Sequence, residues 1–126
     1  MNNAPISISI NLDSLNEAYG FPENYEDQTF HQIFNRIEQL SSKFNFPLSI
    51  FVIGKDLENE KNLNQIKKWY DNGHEIGNHS YNHLFNFGSL DSNNLKDEIF
   101  KTHEKIFKII GHEPKGFIAP TWGFSK

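Results

Sequence analysis

His79 and His83 stand four residues apart in the run His79-Ser80-Tyr81-Asn82-His83. On a helical turn that spacing puts two imidazoles on one face, where both can approach a single ion. Asp13, at the end of an apolar segment, could add a carboxylate oxygen and complete an Asp-His-His site with positions left for water and substrate. Such a site suits hydrolysis, because a bound divalent ion lowers the pKa of water and polarises a carbonyl oxygen. The chain contains no cysteine, which excludes a thiolate metal site, a cysteine nucleophile and a disulfide framework; any metal must use nitrogen and oxygen ligands. Two histidines at this spacing also occur as surface or capping residues in Asn-rich loops. Their position after a strand, and a third candidate ligand after another strand, set the ion-binding reading level with that one.

The elements that must position these residues follow from periodicity. Ile6-Ser7-Ile8-Ser9-Ile10 alternates with the period of a strand, predicted over 6–12. The stretch Glu17 to Gln28 has no period and reads as a loop. Phe30, Ile33, Phe34, Ile37 and Leu40 recur at helical spacing and predict a helix over 28–44 with those residues inward. The nearly continuous apolar run Leu48 to Ile53, closed by Gly54, is expected of a parallel strand buried on both faces. Leu57, Leu63, Ile66, Trp69 and Tyr70 mark a second helix stopped at Asn72-Gly73, with Trp69 in the core. His74 to Gly77 is a third strand, in which His74 is a hydrogen-bonded structural residue. Leu95 to Ile110 is a third helix ended by Gly111, and Gly116 to Ala119 a fourth strand.

The order is α/β, with about four parallel strands and three helices. In parallel α/β folds, ligands bind at the carboxyl ends of strands, which is where Asp13, His79, His83, Pro120 and Trp122 fall. His31, His103 and His112 lack partners in the pattern and are expected at the surface. Trp122 is placed either as a rim aromatic for a sugar ring or as an exposed loop end.

The 126 residues allow one domain, and 12 basic against 16 acidic residues give a net charge of −4. The lysines are scattered, so no basic stripe exists for a phosphate backbone and nucleic acid is excluded as a partner. No stretch is long and apolar enough to span a membrane, and Met1-Asn2-Asn3-Ala4-Pro5 does not begin a secretory signal, so a cytoplasmic location is expected. Phe supplies 12 of the 18 aromatic residues, which predicts a packed core.

Ser49-Ile50-Phe51-Val52-Ile53-Gly54 followed by Gly73-His74-Glu75-Ile76-Gly77-Asn78-His79-Ser80-Tyr81-Asn82-His83 resembles the polysaccharide deacetylases, the NodB-homology carbohydrate esterases. The resemblance runs from Ile6 to Trp122 and covers the amino-terminal part of that domain. It implies a partial (β/α) barrel of the NodB type, a single truncated domain over 1–126, and half of the barrel absent. Open strand edges would then favour self-association. It also implies that His79 and His83 hold a divalent metal, zinc first among the candidates, and that the substrate is an acetylated carbohydrate.

The family's first motif carries two aspartates, the earlier a base and the later a metal ligand, adjacent or separated by one residue. In the separated register Asp13 is the ligand and Asn11 occupies the base position; in the adjacent register Asp13 is the base and Ser14 replaces the ligand. The separated register keeps the strand alternation and is preferred. An amide in the base position cannot take a proton from water as a carboxylate does. The third motif, R-x-P, appears as Ile118-Ala119-Pro120, followed by Trp122, and Pro120 and Trp122 are expected to line the substrate groove.

The resemblance thus implies a metal-dependent hydrolase that removes acetyl groups from an N- or O-acetylated sugar. Beside it stand an allantoinase-like C–N hydrolase, a degenerate non-catalytic carbohydrate-binding or interaction module, and an unrelated flavodoxin-like domain.

Overall fold

The apolar run after Pro47 becomes β2 (Leu48–Val52), the central strand of a three-stranded parallel sheet. The computed structural model describes residues 6–14, 19, 21–22, 24–25 and 27–123. β2 is flanked by β1 (Ile8–Leu12), which pairs Ile10 with Ile50, and by β3 (Glu75–Asn78), which pairs Ile76 with Ile50. Leu48, Ile50 and Val52 are fully buried, as the lack of alternation in β2 requires. The parallel α/β architecture is the one the sequence predicts. The loop read at 17–28 lies in part outside the described residues.

A short π-helical turn, Thr29–Ile33, leads into α1 (Phe34–Phe44), and Asp27 caps its start by accepting from the Thr29 amide at 2.7 Å. The inward face of this helix differs from the predicted one. Phe30 and Phe34 are buried, but Ile33 and Leu40 are exposed, and Glu38 and Ser41 turn inward instead. The cause is specific polar pairing: Glu38 accepts from the Trp69 indole at 3.1 Å and the Asn72 amide group at 2.5 Å, and the Ser41 hydroxyl donates to the Phe46 carbonyl. Trp69 has no exposed surface and packs on Phe34 with ring centroids 4.1 Å apart. Burying a side chain the size of Phe34 is worth roughly 1.5–3 kcal/mol, so these rings weld α1 to the next helix.

That helix, α2 (Glu60–Asp71), follows a 3-10 turn at Lys55–Glu58 and is capped by Asn59, whose side chain accepts from the Lys61 amide at 2.9 Å. α3 (Ser92–Ile110) starts three residues before the first apolar residue of its pattern, because Asp91 accepts from the amides of Asn93 and Asn94 at 2.9 and 3.0 Å. It ends at Gly111 in the left-handed conformation, φ 75°.

The fourth strand expected at 116–119 is reduced to one parallel bridge between Asn78 and Phe117. The Asn78 amide donates to the Gly116 carbonyl at 2.9 Å and the Ile118 amide donates to the Asn78 carbonyl at 3.0 Å. Pairing stops there because Pro120 has no N–H to donate, and Thr121 and Trp122 take positive φ values of 52° and 55° that turn the chain away.

His74 lies just before β3, buried, and its Nδ1 accepts from the Leu48 amide at 3.2 Å. That role needs an unprotonated nitrogen, and burial holds the imidazole below its ordinary value of 6.5 against the opposing charge of Glu38. On acidification the unfolded chain takes up this proton before the folded one does, so stability falls as the pH drops through about 6.5. One proton limits the slope to about 1.4 kcal/mol per pH unit. Urea denaturation between pH 7.5 and 5 should show that loss, and His74→Gln should make the slope shallower; an equal slope in the variant would assign the effect elsewhere.

Candidate metal centre

Asp13 follows β1, and the His79–His83 loop follows β3, so the parallel sheet delivers both to the same rim. Asp13, His79 and His83 each present a ligand atom, all within 4.8 Å of one another. His79 Nε2 lies 3.3 Å from Asp13 Oδ1, and His83 Nε2 lies 3.7 Å from Asp13 Oδ2. Both histidines are buried, while Asp13 keeps about a third of its side chain exposed and forms the open side.

The hydrogen bonds around His79 decide what the cluster suits. Its Nδ1 sits 2.7 Å from the Ile118 carbonyl, which only accepts, so Nδ1 carries the proton. In the neutral ring Nε2 is then a bare lone pair facing a carboxylate oxygen. Neither His79 Nε2 nor Asp13 Oδ1 has a hydrogen-bond partner, although both are shielded from solvent. Two electron-rich atoms at that separation need a positive charge between them, and a carbonyl behind the imidazole is the usual second support of a metal-binding histidine. The donor set fits a divalent cation of the nitrogen- and oxygen-binding kind.

The pocket responds to positive charge. Burial alone would raise the Asp13 carboxyl; when the imidazoles are protonated, the hydrogen bond from His79 and the charges of His79 and His83 outweigh that and hold it below the ordinary 3.8. Burial pushes His83 below 6.5, with Asp13 opposing, so its lone pair is available at neutral pH. The Tyr19 hydroxyl donates to Asp13 Oδ2 at 3.2 Å, and burial together with the Asp13 charge pushes that phenol up to about 12.

The loop between the histidines is strained, since Ser80 and His83 have φ of 65° and 52°. Left-handed residues other than glycine cost roughly 1–2 kcal/mol each. Each amide from 79 to 83 is satisfied: His79 donates to the Val52 carbonyl (2.9 Å), Ser80 to Asn78 Oδ1 (2.9 Å), Tyr81 and Asn82 to Glu98 Oε2 (3.1 and 2.8 Å), and His83 to Ser80 Oγ (3.2 Å). At about 1 kcal/mol net apiece, these bonds offset two strained residues. Gly54 lets the loop close over β2: a Cβ there would lie 2.2 Å from Thr102 Oγ1 and 2.7 Å from the Tyr81 ring.

The other predicted residues fall around this group. Ser14 Oγ donates to Asp56 Oδ1 at 2.5 Å, so it is Asp13 that faces the imidazoles. Asn11 is half-buried in β1, on the strand face that also carries Asp13 by alternation. Pro120 is buried, and Trp122 is 71% exposed in the turn after the Phe117 bridge. His31 and His103 are half-buried and His112 is exposed, all outside the cluster. Sequence reasoning missed Tyr19, Glu98 and the backbone of Ile118. Tyr19 lay in an aperiodic loop, and Ile118 contributes a carbonyl, which no side-chain motif records.

The polysaccharide deacetylase family profile matches residues 23–126. A peptidoglycan deacetylase of Helicobacter pylori is 33% identical over 90 residues, 71% of this chain and 30% of that protein. Among solved structures, the Bc1960 peptidoglycan N-acetylglucosamine deacetylase superposes with a TM-score of 0.76 at 22% identity, over 99% of this chain and 50% of that one. BA3943 of Bacillus anthracis, described as a CE4 family pseudoenzyme, gives 0.74 at 23% identity over 95% and 36%. A family 4 acetyl xylan esterase of Clostridium thermocellum, solved with a cobalt ion, gives 0.72 at 23% over 94% and 50%. The chain therefore spans half or less of the length of these proteins. Among the described residues, no helix is long and apolar enough to cross a membrane.

Because Asp13 supports the charged form of His83, while burial and His79 oppose it, Asp13→Asn should move the His83 midpoint further below 6.5 in the metal-free protein. An NMR titration of the imidazole nitrogens reads this directly. An upward shift would show that Asp13 does not face His83 in solution.

Proposed function

The chain belongs to the polysaccharide deacetylase family, and from that premise we propose that Asp13, His79 and His83 hold a divalent metal, zinc first, for removal of acetyl groups from an N- or O-acetylated sugar. The observation that carries the reading is the His79 Nε2 lone pair facing Asp13 Oδ1, with neither atom hydrogen-bonded. A cation bound there would supply Lewis acidity toward water and an acyl oxygen. The chain's own residues do the rest. The Ile118 carbonyl fixes the tautomer of His79, and Tyr19 holds Asp13 Oδ2 from the open side. The exposed ring of Phe85 lies 6.1 Å from that of His83 and 6.0 Å from that of Tyr19, and Thr121 Oγ1 ties the turn that carries the exposed Trp122 to it by donating to the Phe85 carbonyl at 3.3 Å. Exposed aromatic faces of this kind suit a sugar ring.

This arrangement supports the separated register, in which Asn11 stands where the family's base carboxylate would be. A carboxamide orients water but does not accept its proton. That residue favours a second reading, a module that binds metal and acetylated glycan with little or no turnover, and the likeness to a protein described as a pseudoenzyme is consistent with it.

Zinc content and affinity of the wild type, His79→Ala and His83→Ala test the first step. One zinc per chain is expected in the wild type, with affinity reduced by more than about tenfold in each variant. Acetate release from N-acetyl chito-oligosaccharides and from acetylated xylan then separates the two readings. Asn11→Asp should raise it by on the order of 10²-fold or more. Zinc bound by both forms with no acetate released by either would establish the binding module.

A further inference from the structure

Two consecutive amides in the histidine loop, those of Tyr81 and Asn82, converge on a single oxygen, Oε2 of Glu98, at 3.1 and 2.8 Å. The Asn82 side-chain amide donates to the other oxygen, Oε1, at 2.5 Å. Glu98 is buried and projects from the middle of α3. We infer that Glu98 is a positioning residue for the metal centre, holding the segment between the two histidines in the shape that turns His79 and His83 toward Asp13. The inference rests on the reading of those three residues as a cation site.

Three features argue for this role over a purely structural one. First, successive backbone N–H groups aimed at one point form a concave nest whose natural occupant is an anionic oxygen, and the carboxylate supplies it from outside the loop. An apolar side chain at this place on α3 would fill the space without the cost of burying a charged group. Second, the contact is reinforced by the next residue. The Ile99 carbonyl accepts from Asn78 Nδ2 at 2.9 Å, and Asn78 Oδ1 accepts from the Ser80 amide at 2.9 Å. α3 thus grips the loop at both ends of its turn, around Ser80 and around Asn82. Third, the grip acts where the loop is strained: Ser80 and His83, both at positive φ, bracket the two amides that Glu98 holds. Without those bonds the Ser80 and Tyr81 carbonyls still accept from the Gly54 and Lys55 amides, both at 2.9 Å, but the Asn82 end of the turn loses its hold, and the His83 ring moves with it.

Glutamine reproduces the contact in part. Its one oxygen can accept both backbone amides, but without the charge, and its NH2 group meets the Asn82 NH2 unless that carboxamide turns over.

Cobalt(II) titration of the full 126-residue chain, followed by its visible absorption, tests the inference because band shape reports the geometry of coordination as well as affinity. Glu98→Ala should weaken Co2+ binding by about tenfold or more and alter the band. Glu98→Gln should fall between it and the wild type, and Ile106→Val, a core truncation on the same helix, should keep wild-type affinity and band. Co2+ binding by Glu98→Ala within about twofold of wild type, or an equal loss in Ile106→Val, would overturn the role of Glu98. If Glu98→Ala does not fold, Glu98→Gln decides, and an unchanged affinity and band in it overturns the role. A wild type that binds no Co2+ removes the cation site, and the inference with it; failure of the inference alone leaves wild-type binding intact.

Discussion

A carboxylate oxygen and an imidazole lone pair do not stay together in a shielded pocket unless a positive charge joins them. Asp13, His79 and His83 are brought within 4.8 Å of one another, and the proton that might relieve the His79–Asp13 contact is committed to the Ile118 carbonyl instead. Nearby structure follows from that commitment. The bridge between Asn78 and Phe117 is short, but it is what carries the Ile118 carbonyl to the back of the imidazole. The fold therefore spends its last piece of sheet pairing on the tautomer of one histidine.

Holding the second histidine is a different problem, solved with a different element. β3 ends at Asn78, and beyond it backbone pairing with residues 52–55 continues only through the His79 amide and the Ser80 and Tyr81 carbonyls, while the loop to His83 passes through two left-handed residues. Side chains take over from the sheet: Asn78, Ser80 and Glu98 accept the amides that a neighbouring strand would otherwise satisfy. α3 matters here less as a cover for the sheet than as a rigid bar that carries Glu98 and Ile99 to the loop. Gly54 and Thr102 set how closely that bar approaches.

Much of this was legible because it is written in periods and local signals. The unbroken apolar run of β2, the caps and glycines of the helices, and the four-residue spacing of His79 and His83 each reflect a constraint acting over a few residues. What was not legible depends on partners distant in sequence. Helix periodicity turned Ile33 and Leu40 inward, yet Glu38 lies there because the Trp69 indole, 31 residues away, needs an acceptor. The fourth strand looked complete from its apolar residues, while Pro120 and two positive-φ residues cut it to one bridge. Glu98 reads in sequence as one more charge on a polar helix. Ile118 reads as the loss of an arginine side chain, whereas its contribution is a backbone oxygen that any residue supplies.

Asn11 separates two tasks that a deacetylase of this architecture must perform. Holding a cation needs lone pairs in a fixed geometry, and Asp13, His79 and His83 supply them whatever stands at position 11. Accepting a proton needs a basic group, and on the β1 face shared with Asp13 the side chain at that position is a neutral amide. Asp13 is the single carboxylate among the three clustered residues. A cation held by one carboxylate and two neutral imidazoles would keep part of its positive charge and attract an acyl oxygen or carboxylate. In the proposed reading binding and turnover would be set by different residues, so the geometry that fits a metal does not by itself imply a rate.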